Sequence, residues 1–144
     1  MYVCLKLHAM SIYASKSIPQ LKLIAEKHFN AFIRQRDNKG GYFVCISCNK
    51  PKRTDSGQYH AGHYLSAGHH SYTKFNEQNV NGQCAHCNTF LHGNLINYRK
   101  GLIRKIGLVA VEQLESFKHY PMKWDRFELI GVIELYMSKI KQAA

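Results

Sequence analysis

The sequence predicts an α+β domain whose centre is stapled by four cysteines, with helices before and after it. Residues 18–37 carry apolar side chains at helical spacing, and the last third of the chain does so again. Between them, two C-x-x-C pairs enclose a long polar segment. We therefore expect an N-terminal segment and helix over residues 1–41, a stapled core over 42–106 and a helical extension over 107–144, in one compact unit.

The first element is an amphipathic helix, Ile18–Asp37. Pro19 suits the first helical turn, and Ser17 stands near the N-cap position. The sequence Asn-Lys-Gly-Gly at 38–41 then ends the helix. Tyr42–Cys45 follows as a short strand that leads into the first cysteine pair.

Four of the five cysteines have the arrangement of a structural zinc site. The pairs Cys45/Cys48 and Cys84/Cys87 each supply two thiolates from one turn, and four thiolates complete the closed tetrahedral coordination that zinc prefers. A redox motif would need only one pair, and an odd cysteine count without an export signal disfavours a disulfide framework. The spare Cys4 is expected to be a buried small apolar residue.

The segment between the cysteine pairs is predicted to carry the function. Residues 46–83 are rich in Gly, Ser, Asn and His and lack a sustained apolar period, and a loop this long inside a domain is usually functional. We expect a strand within Tyr59–Leu65 and a turn within Phe75–Val80.

The remainder of the chain is predicted to be helical. A helical pattern over Asn88–Ile106 is weakened by two glycines, and a short helix is expected over Leu108–Phe117. The last helix should begin at Asp125, where Glu128 completes a capping box three residues later.

The chain is strongly basic. Twenty Lys and Arg residues against nine Asp and Glu residues give a net charge of +11. This balance favours a polyanionic partner, above all nucleic acid, through phosphate neutralisation and counterion release. For each candidate phosphate contact a solvated surface position is the alternative. The candidates are Arg34, Arg36, Lys74, Arg99, Lys100, Arg104 and Lys105.

The sequence gives no sign of a membrane segment. No stretch approaches the roughly 18 apolar residues of a spanning helix, and the N-terminus has no clear secretory cleavage site. We therefore expect a cytoplasmic protein.

The histidines and asparagines around the second cysteine pair resemble those of HNH nucleases, which have a ββα-metal core. His63 ends the predicted strand, Asn79 lies in the loop before Cys84, and Asn88 directly follows Cys87. The resemblance implies that His63 is the general base that takes a proton from water, that Asn79 orients it, and that Asn88 is a ligand of a catalytic Mg²⁺ or Mn²⁺. A neutral imidazole is a competent base near pH 7, and a divalent ion can stabilise charge on the phosphate.

Position 62 departs from the HNH pattern. Those nucleases usually place an acidic residue or a histidine immediately before the base, whereas this chain has Gly62. His60 is the substitute ligand that we favour, because it is close in sequence and can bind a metal as neutral imidazole. His69 and His70 are weaker candidates. Both asparagines also have structural alternatives, as a turn residue and as a helix cap.

Short sequence segments elsewhere in the chain resemble a more specific family. The segments FNAFIR at 29–34, CISC at 45–48, AGHY at 61–64 and FNE at 75–77 look like those of the NinG (Rap) recombination proteins of lambdoid phages. The resemblance implies a structure-specific endonuclease that cuts branched recombination intermediates, such as Holliday junctions and displacement loops, in the host cytosol. It also implies recombination proteins as partners, and paired incisions would suit a homodimer.

The main alternative is a non-catalytic zinc module that binds DNA or partner proteins through the same basic surface. The incomplete set of acidic ligands supports this alternative.

Overall fold

Four α-helices and two small sheets make up the regular structure of residues 12–142, the part of the chain that the computed structural model describes. The α+β class is confirmed. The elements in chain order are α1 (Ile18–Asp37), β1 (Tyr42–Val44), β2 (Pro51–Arg53), β3 (Tyr59–His63), β4 (Val80–Cys84), α2 (Leu95–Ile106), α3 (Leu108–Ser116) and α4 (Arg126–Gln142). A one-turn π-helix, His86–Phe90, and the 3₁₀ turns Ser71–Thr73 and Phe117–His119 lie between them.

The chain divides into two compact units. One is formed by residues 33–122, and the other combines the residues before 33 with those after 122. The first unit holds the sheets, the cysteines and helices α2 and α3. Cys4 and the rest of the first eleven residues lie outside the described part of the chain.

Reciprocal hydrogen bonds fix the starts of two helices. At α1, the Ser17 N–H donates to Gln20 Oε1 (2.8 Å) and the Gln20 N–H donates to Ser17 Oγ (3.4 Å). At α4, the Asp125 N–H donates to Glu128 Oε2 (2.9 Å) and the Glu128 N–H donates to Asp125 Oδ1 (2.8 Å). These capping boxes satisfy backbone donors that a helix start otherwise leaves without partners, so both predicted helix starts are confirmed.

The unit built from the two chain ends has an aromatic contact at its centre. Phe29 of α1 meets Tyr136 of α4 edge to face, with ring centroids 4.8 Å apart. The Arg126 guanidinium donates to the carbonyl oxygens of Tyr13 (3.0 Å) and Lys16 (2.7 Å). No helix of residues 12–142 combines the length and the apolar character that crossing a bilayer requires.

Both sheets are antiparallel hairpins. In the first, Tyr42 of β1 pairs with Arg53 of β2. In the second, β3 pairs with β4 from Tyr59 opposite Cys84 to His63 opposite Val80. The sequence did not predict β2 or β4, because neither shows an alternation of apolar and polar residues. All five β4 residues are nevertheless buried.

The predicted helix over Asn88–Ile106 is wrong in its first half. The π-helix ends at Phe90, and α2 begins only at Leu95. Between them His92 (φ 47°), Gly93 (φ 88°) and Asn94 (φ 46°) adopt left-handed backbone conformations, which cannot continue a right-handed helix. The break turns α2 onto an apolar cluster of Ile46, Tyr64, Leu65, Tyr98, Leu102, Val111 and Leu114.

Candidate metal centre and adjoining cleft

Four cysteine sulfurs converge on one point. The Sγ atoms of Cys45, Cys48, Cys84 and Cys87 all lie within 4.8 Å of one another, and those of Cys48 and Cys84 are 4.0 Å apart. Tetrahedral zinc with bonds of about 2.3 Å would place its sulfurs about 3.8 Å apart, so the cluster could bind a metal such as zinc. Within residues 12–142 it is the one group of three or more His, Cys, Asp or Glu side chains close enough to share an ion.

Each cysteine pair sits in a tight local structure. The first lies in the turn between β1 and β2, where the Asn49 N–H donates to the Cys45 carbonyl (2.9 Å) and Asn49 adopts φ 56°. In the second pair Cys84 ends β4 and Cys87 lies in the π-helix. The end of β4 and the π-helix that follows it therefore supply two of the four sulfurs.

N–H groups point at the sulfurs. The Cys84 N–H donates to Cys45 Sγ, and the Asn94 side-chain amide donates to Cys87 Sγ, both at 3.4 Å. Such donors stabilise negative charge on thiolate ligands and orient them. Burial raises the pKa of the Cys87 thiol to about 12, and the Asn94 amide opposes that shift. Four thiolates leave no open coordination position, so the centre suits a structural ion.

His63 ends β3 and is held by the loop that follows. Its Nε2 lies 3.0 Å from the carbonyl oxygen of Lys74. Since a carbonyl can only accept, Nε2 is the donor in this contact, and in the neutral form of the ring Nδ1 would then carry the lone pair. His63 lines a cleft of about 570 Å³ together with Asn88, His92 and Lys118.

His60 and Asn88 contact each other. The Asn88 side-chain amide lies 2.9 Å from His60 Nδ1. His60 and His63 are three residues apart on one strand and therefore point to opposite faces of it. Asn88 connects the two, because it touches His60 and shares the cleft with His63.

Asn79 acts on the loop rather than on the imidazole. Its side chain is fully buried and accepts a hydrogen bond from the Leu65 N–H (2.8 Å). It also donates to the carbonyl oxygens of Leu65 (2.9 Å) and Thr73 (3.1 Å). These bonds connect Asn79, at the end of loop 64–79, to Leu65 at its start and to Thr73 within it. Thr73 directly precedes Lys74, whose carbonyl contacts His63.

A steric contact explains the glycine before His63. A β-carbon at Gly62 would collide with Oε1 of Gln83 and lie 2.9 Å from its Cβ. Gln83 is fully buried, and its amide nitrogen donates to Ser47 Oγ and to the Gly93 carbonyl, both at 2.7 Å. The Tyr98 hydroxyl donates to the Gly62 carbonyl (2.7 Å). Sequence reasoning missed the role of Gln83, and its only signal was its place directly before Cys84.

The other candidate histidines differ in position. His70 Nδ1 lies 3.0 Å from the Lys118 carbonyl oxygen, and His70 lines the cleft. The exposed His69 does not line it, and its Nδ1 lies 3.1 Å from Ser66 Oγ. The structure thus places His70 with His63 and leaves His69 apart.

Two basic candidates form a network around the partly buried carboxylate of Asp37. Arg36 donates to both oxygens of Asp37 (2.8 and 2.9 Å), and Lys105 reaches Asp37 (3.1 Å) and Asn81 (2.7 Å). Burial would raise the pKa of Asp37, but hydrogen bonds from Arg36 and the Gly82 N–H lower it overall. This network ties the end of α1 to β4 and α2.

Arg99 is engaged in a similar way. It donates to both oxygens of Glu115 (2.8 and 3.0 Å), and the Tyr64 hydroxyl donates to the same carboxylate (2.6 Å). The Arg99 hydrogen bond lowers the pKa of Glu115 to about 2. Lys100 and Arg104 are exposed on α2, whereas Arg34 and Lys74 are half-buried.

Comparison with known proteins shows clearly which family this chain is related to. The family model described as "Bacteriophage Lambda NinG protein" matches residues 8–144. The chain is 38% identical over 117 residues to Protein ninG of Salmonella phage P22 and to Protein ninG of Escherichia phage lambda, covering 81% of this chain and 54% of each relative. It is 39% identical over 100 residues to Protein ninG of Enterobacteria phage H19B, covering 69% of this chain and 46% of that relative. The chain spans about half the length of the curated relatives it matches. No solved structure matches it significantly.

Proposed function

The chain belongs to the bacteriophage lambda NinG family, and from that premise we propose that it is a metal-dependent, structure-specific DNA endonuclease. The observation that carries the proposal is the position of His63, whose imidazole lines a cleft while its Nε2 contacts the Lys74 carbonyl. A neutral imidazole fixed in one tautomer is the form that a general base requires near pH 7.

In the proposed reaction His63 takes a proton from a water molecule. The water oxygen bonds to phosphorus as the bond between phosphorus and the leaving oxygen breaks. The backbone carbonyl of Lys74 keeps the imidazole in one orientation. It also stabilises the protonated imidazole, because it continues to accept the hydrogen bond from Nε2. Asn79 keeps the loop that carries Lys74 in place.

His60 and Asn88 are the residues that would hold Mg²⁺ or Mn²⁺. They lie in contact; an amide oxygen is a ligand that both ions favour, whereas an imidazole nitrogen suits softer ions better. Mg²⁺ commonly keeps several waters and takes few protein ligands, which fits a site of two side chains. A bound ion would stabilise the charge that develops on the phosphate and the leaving oxygen.

We further propose that the four thiolates hold zinc as a structural ion. The ion would join the hairpin β1–β2 to the hairpin β3–β4, which carries His60 and His63. Its role in this proposal is to hold the candidate catalytic strand in place, since it has no coordination position for substrate.

Family membership also suggests the substrate class, namely branched recombination intermediates of the Holliday-junction or displacement-loop type. The exposed Lys100, Arg104 and Lys118 are the described cations best placed for phosphate contact, because Arg36, Arg99 and Lys105 are engaged within the chain. Recombination proteins and a second copy of the chain are further proposed partners.

One experiment tests the proposed activity. Purified chain is incubated with branched DNA with and without Mg²⁺ or Mn²⁺, alongside His63→Ala and the matched control His69→Ala. We expect ion-dependent nicking by the wild type and the control, and a loss of roughly 10²–10⁴-fold in His63→Ala with unchanged zinc content and melting temperature. Equal nicking by His63→Ala would remove His63 from the mechanism.

The rival function is a zinc module that binds DNA without cutting it. It is favoured by the absence of a carboxylate among the residues that line the cleft, and by the absence of a second cluster of His, Cys, Asp or Glu ligands in residues 12–142. It predicts DNA binding without ion-dependent nicking, so the same incubation separates the two functions.

A further inference from the structure

Three aromatic rings form a ledge in the unit that holds the cleft. Tyr72, Phe117 and Tyr120 contact one another, with ring centroids 5.1 Å apart for Tyr72 and Phe117, 5.6 Å for Tyr72 and Tyr120, and 5.7 Å for Phe117 and Tyr120. We call these three residues the aromatic ledge.

The aromatic ledge is exposed, although aromatic side chains usually contribute most when they are buried. Tyr72 is 41% exposed and Tyr120 is 56% exposed. Ser71 and Thr73 flank Tyr72, and Lys118 and His119 lie between Phe117 and Tyr120. A solvent-facing aromatic surface among cations is typical of surfaces that bind single-stranded nucleic acid.

Hydrogen bonds hold the ledge in place. Ser71 donates through Oγ to the Met122 carbonyl (2.8 Å) and accepts from the Met122 N–H (3.2 Å). The Tyr120 N–H donates to the Phe117 carbonyl (3.1 Å). The segments that carry the rings are thus joined before any ligand arrives, which lowers the entropic cost of binding.

The residues of the ledge are close in sequence to residues that line the cleft containing His63. His70 and Lys118 line that cleft, and His70 Nδ1 lies 3.0 Å from the Lys118 carbonyl oxygen. Tyr72 is two residues from His70, Phe117 directly precedes Lys118, and Tyr120 is two residues after it. A strand whose phosphate lay in the cleft would therefore have its neighbouring nucleotides near the rings.

We infer that the aromatic ledge stacks unpaired nucleobases of a DNA strand that passes through the cleft. In a paired duplex the bases are stacked on each other and closed to such contacts, whereas the unpaired bases at a branch are open to them. Stacking would therefore favour branched or single-stranded DNA without reading its sequence. This inference deepens the proposed endonuclease function and rests on it for the position of the strand.

The test compares the binding of matched DNAs without added divalent ions, so that no cleavage is needed. One is a forked duplex with a single-stranded arm, the second has an arm of equal length built from abasic nucleotides, and the third is a blunt duplex. We expect the wild type to bind the arm with bases at least about fivefold more tightly than the abasic arm. Tyr72→Ser/Tyr120→Ser should lose this preference and keep its affinity for the blunt duplex.

Two further variants control for folding and for aromatic exposure in general. Tyr72→Phe/Tyr120→Phe keeps the rings and should keep the preference. Tyr42→Ser removes a tyrosine of β1 that is 51% exposed, and it should also keep the preference. Equal wild-type affinity for both arms, or an undiminished preference in the double serine variant, would overturn the inference and leave the ledge as a surface for a protein partner. A base preference in a chain that never nicks DNA would instead overturn the nuclease function and leave the ledge standing.

Discussion

The side chain of Gln83 fills the space beside Gly62 in which a β-carbon would otherwise lie. The two residues are diagonal neighbours on one face of the β3–β4 hairpin, where Gly62 is opposite Asn81 and Gln83 is opposite His60. The residue before the candidate base is therefore a glycine because a buried amide occupies its side-chain space. The bonds from Gln83 to Ser47 and Gly93 link the first cysteine turn to the segment that follows the π-helix.

Gly62→Ala should lower the free energy of unfolding by about 1–3 kcal/mol, because the added methyl group overpacks a buried site. Gln83→Ala removes the collision with Oε1 and leaves only the 2.9 Å approach to Cβ, so the double variant should be more stable than the sum of the two single changes predicts. Denaturant unfolding of the four proteins measures this coupling. Strict additivity would show that the two side-chain positions do not compete for space.

Gly101→Ala should destabilise the protein, although Ala is intrinsically about 1 kcal/mol more favourable than Gly inside a helix. A β-carbon at Gly101 would collide with the Ile46 carbonyl oxygen, so α2 could no longer approach the first cysteine turn. Gly131→Ala in α4 is the matched control, because nothing lies within 4 Å of its β-carbon position. Thermal melts should show opposite signs for the two changes, and stabilisation by both would contradict the contact with Ile46.

Removal of the zinc ion that we propose for the four cysteines should unfold the unit formed by residues 33–122. The apparent binding free energy of a structural zinc ion, about 10–16 kcal/mol in small peptides, exceeds or equals the whole stability of most domains. Cys84→Ser should therefore lose the ion and the near-UV circular dichroism signal, and a strong chelator should do the same to the wild type. Elemental analysis should find one zinc per chain in the wild type and in Cys4→Ser. A folded, metal-free Cys84→Ser protein would exclude the structural role.

Arg99 and Lys100 are adjacent in sequence but should behave differently. Arg99→Gln breaks a partly exposed ion pair with Glu115 and should lower stability slightly, because solvent screens such pairs. Lys100→Gln should leave stability within about 0.5 kcal/mol and reduce the salt dependence of DNA affinity by about one phosphate contact. Unfolding curves and DNA titrations at several salt concentrations check both. If both changes had the same effect on stability and on the salt dependence of DNA binding, the contact with Glu115 would not explain the difference expected between Arg99 and Lys100.

Asn79→Ala should both destabilise loop 64–79 and slow any nicking. It leaves the Leu65 N–H and the Leu65 and Thr73 carbonyl groups without their side-chain partner, and each buried orphan costs about 1–3 kcal/mol. The exposed Asn97→Ala is the control and should change stability by less than about 0.5 kcal/mol. Denaturant midpoints and nicking rates measure the two effects. Wild-type stability in Asn79→Ala would mean that the loop does not depend on this amide.

The sequence was sufficient where a signal is local. Helix α1 and the start of α4 were predicted correctly because their signals are short-range, namely Ser17 and Pro19 at the start of α1 and the capping box of Asp125 with Glu128. The metal centre was predictable for a related reason. Each C-x-x-C pair places two sulfurs within one turn. Zinc can bind four thiolates from two such turns when the fold brings them close together.

The break before α2 and the strand β4 were not predictable from local pattern. His92 and Asn94 adopt left-handed conformations in a segment whose apolar spacing looks helical, and the Asn94 amide donates to Cys87 Sγ. Strand β4 is buried although three of its five residues are Asn, Gly or Gln. Polar residues can be buried there because Asn81 and Gln83 form hydrogen bonds with residues outside the strand.

By itself, the sequence determined the α+β class, the starts of α1 and α4 and the four cysteines of the cluster, because short-range spacing carries that information. Only the tertiary structure decided which polar side chains form hydrogen bonds within the protein and which line the cleft. Arg36 and Lys105 share Asp37, Gln83 takes the space beside Gly62, and Asn79 supports the loop that holds His63. These roles depend on contacts between residues far apart in the chain, where a hydrogen bond or a steric clash exists only after the backbone has folded.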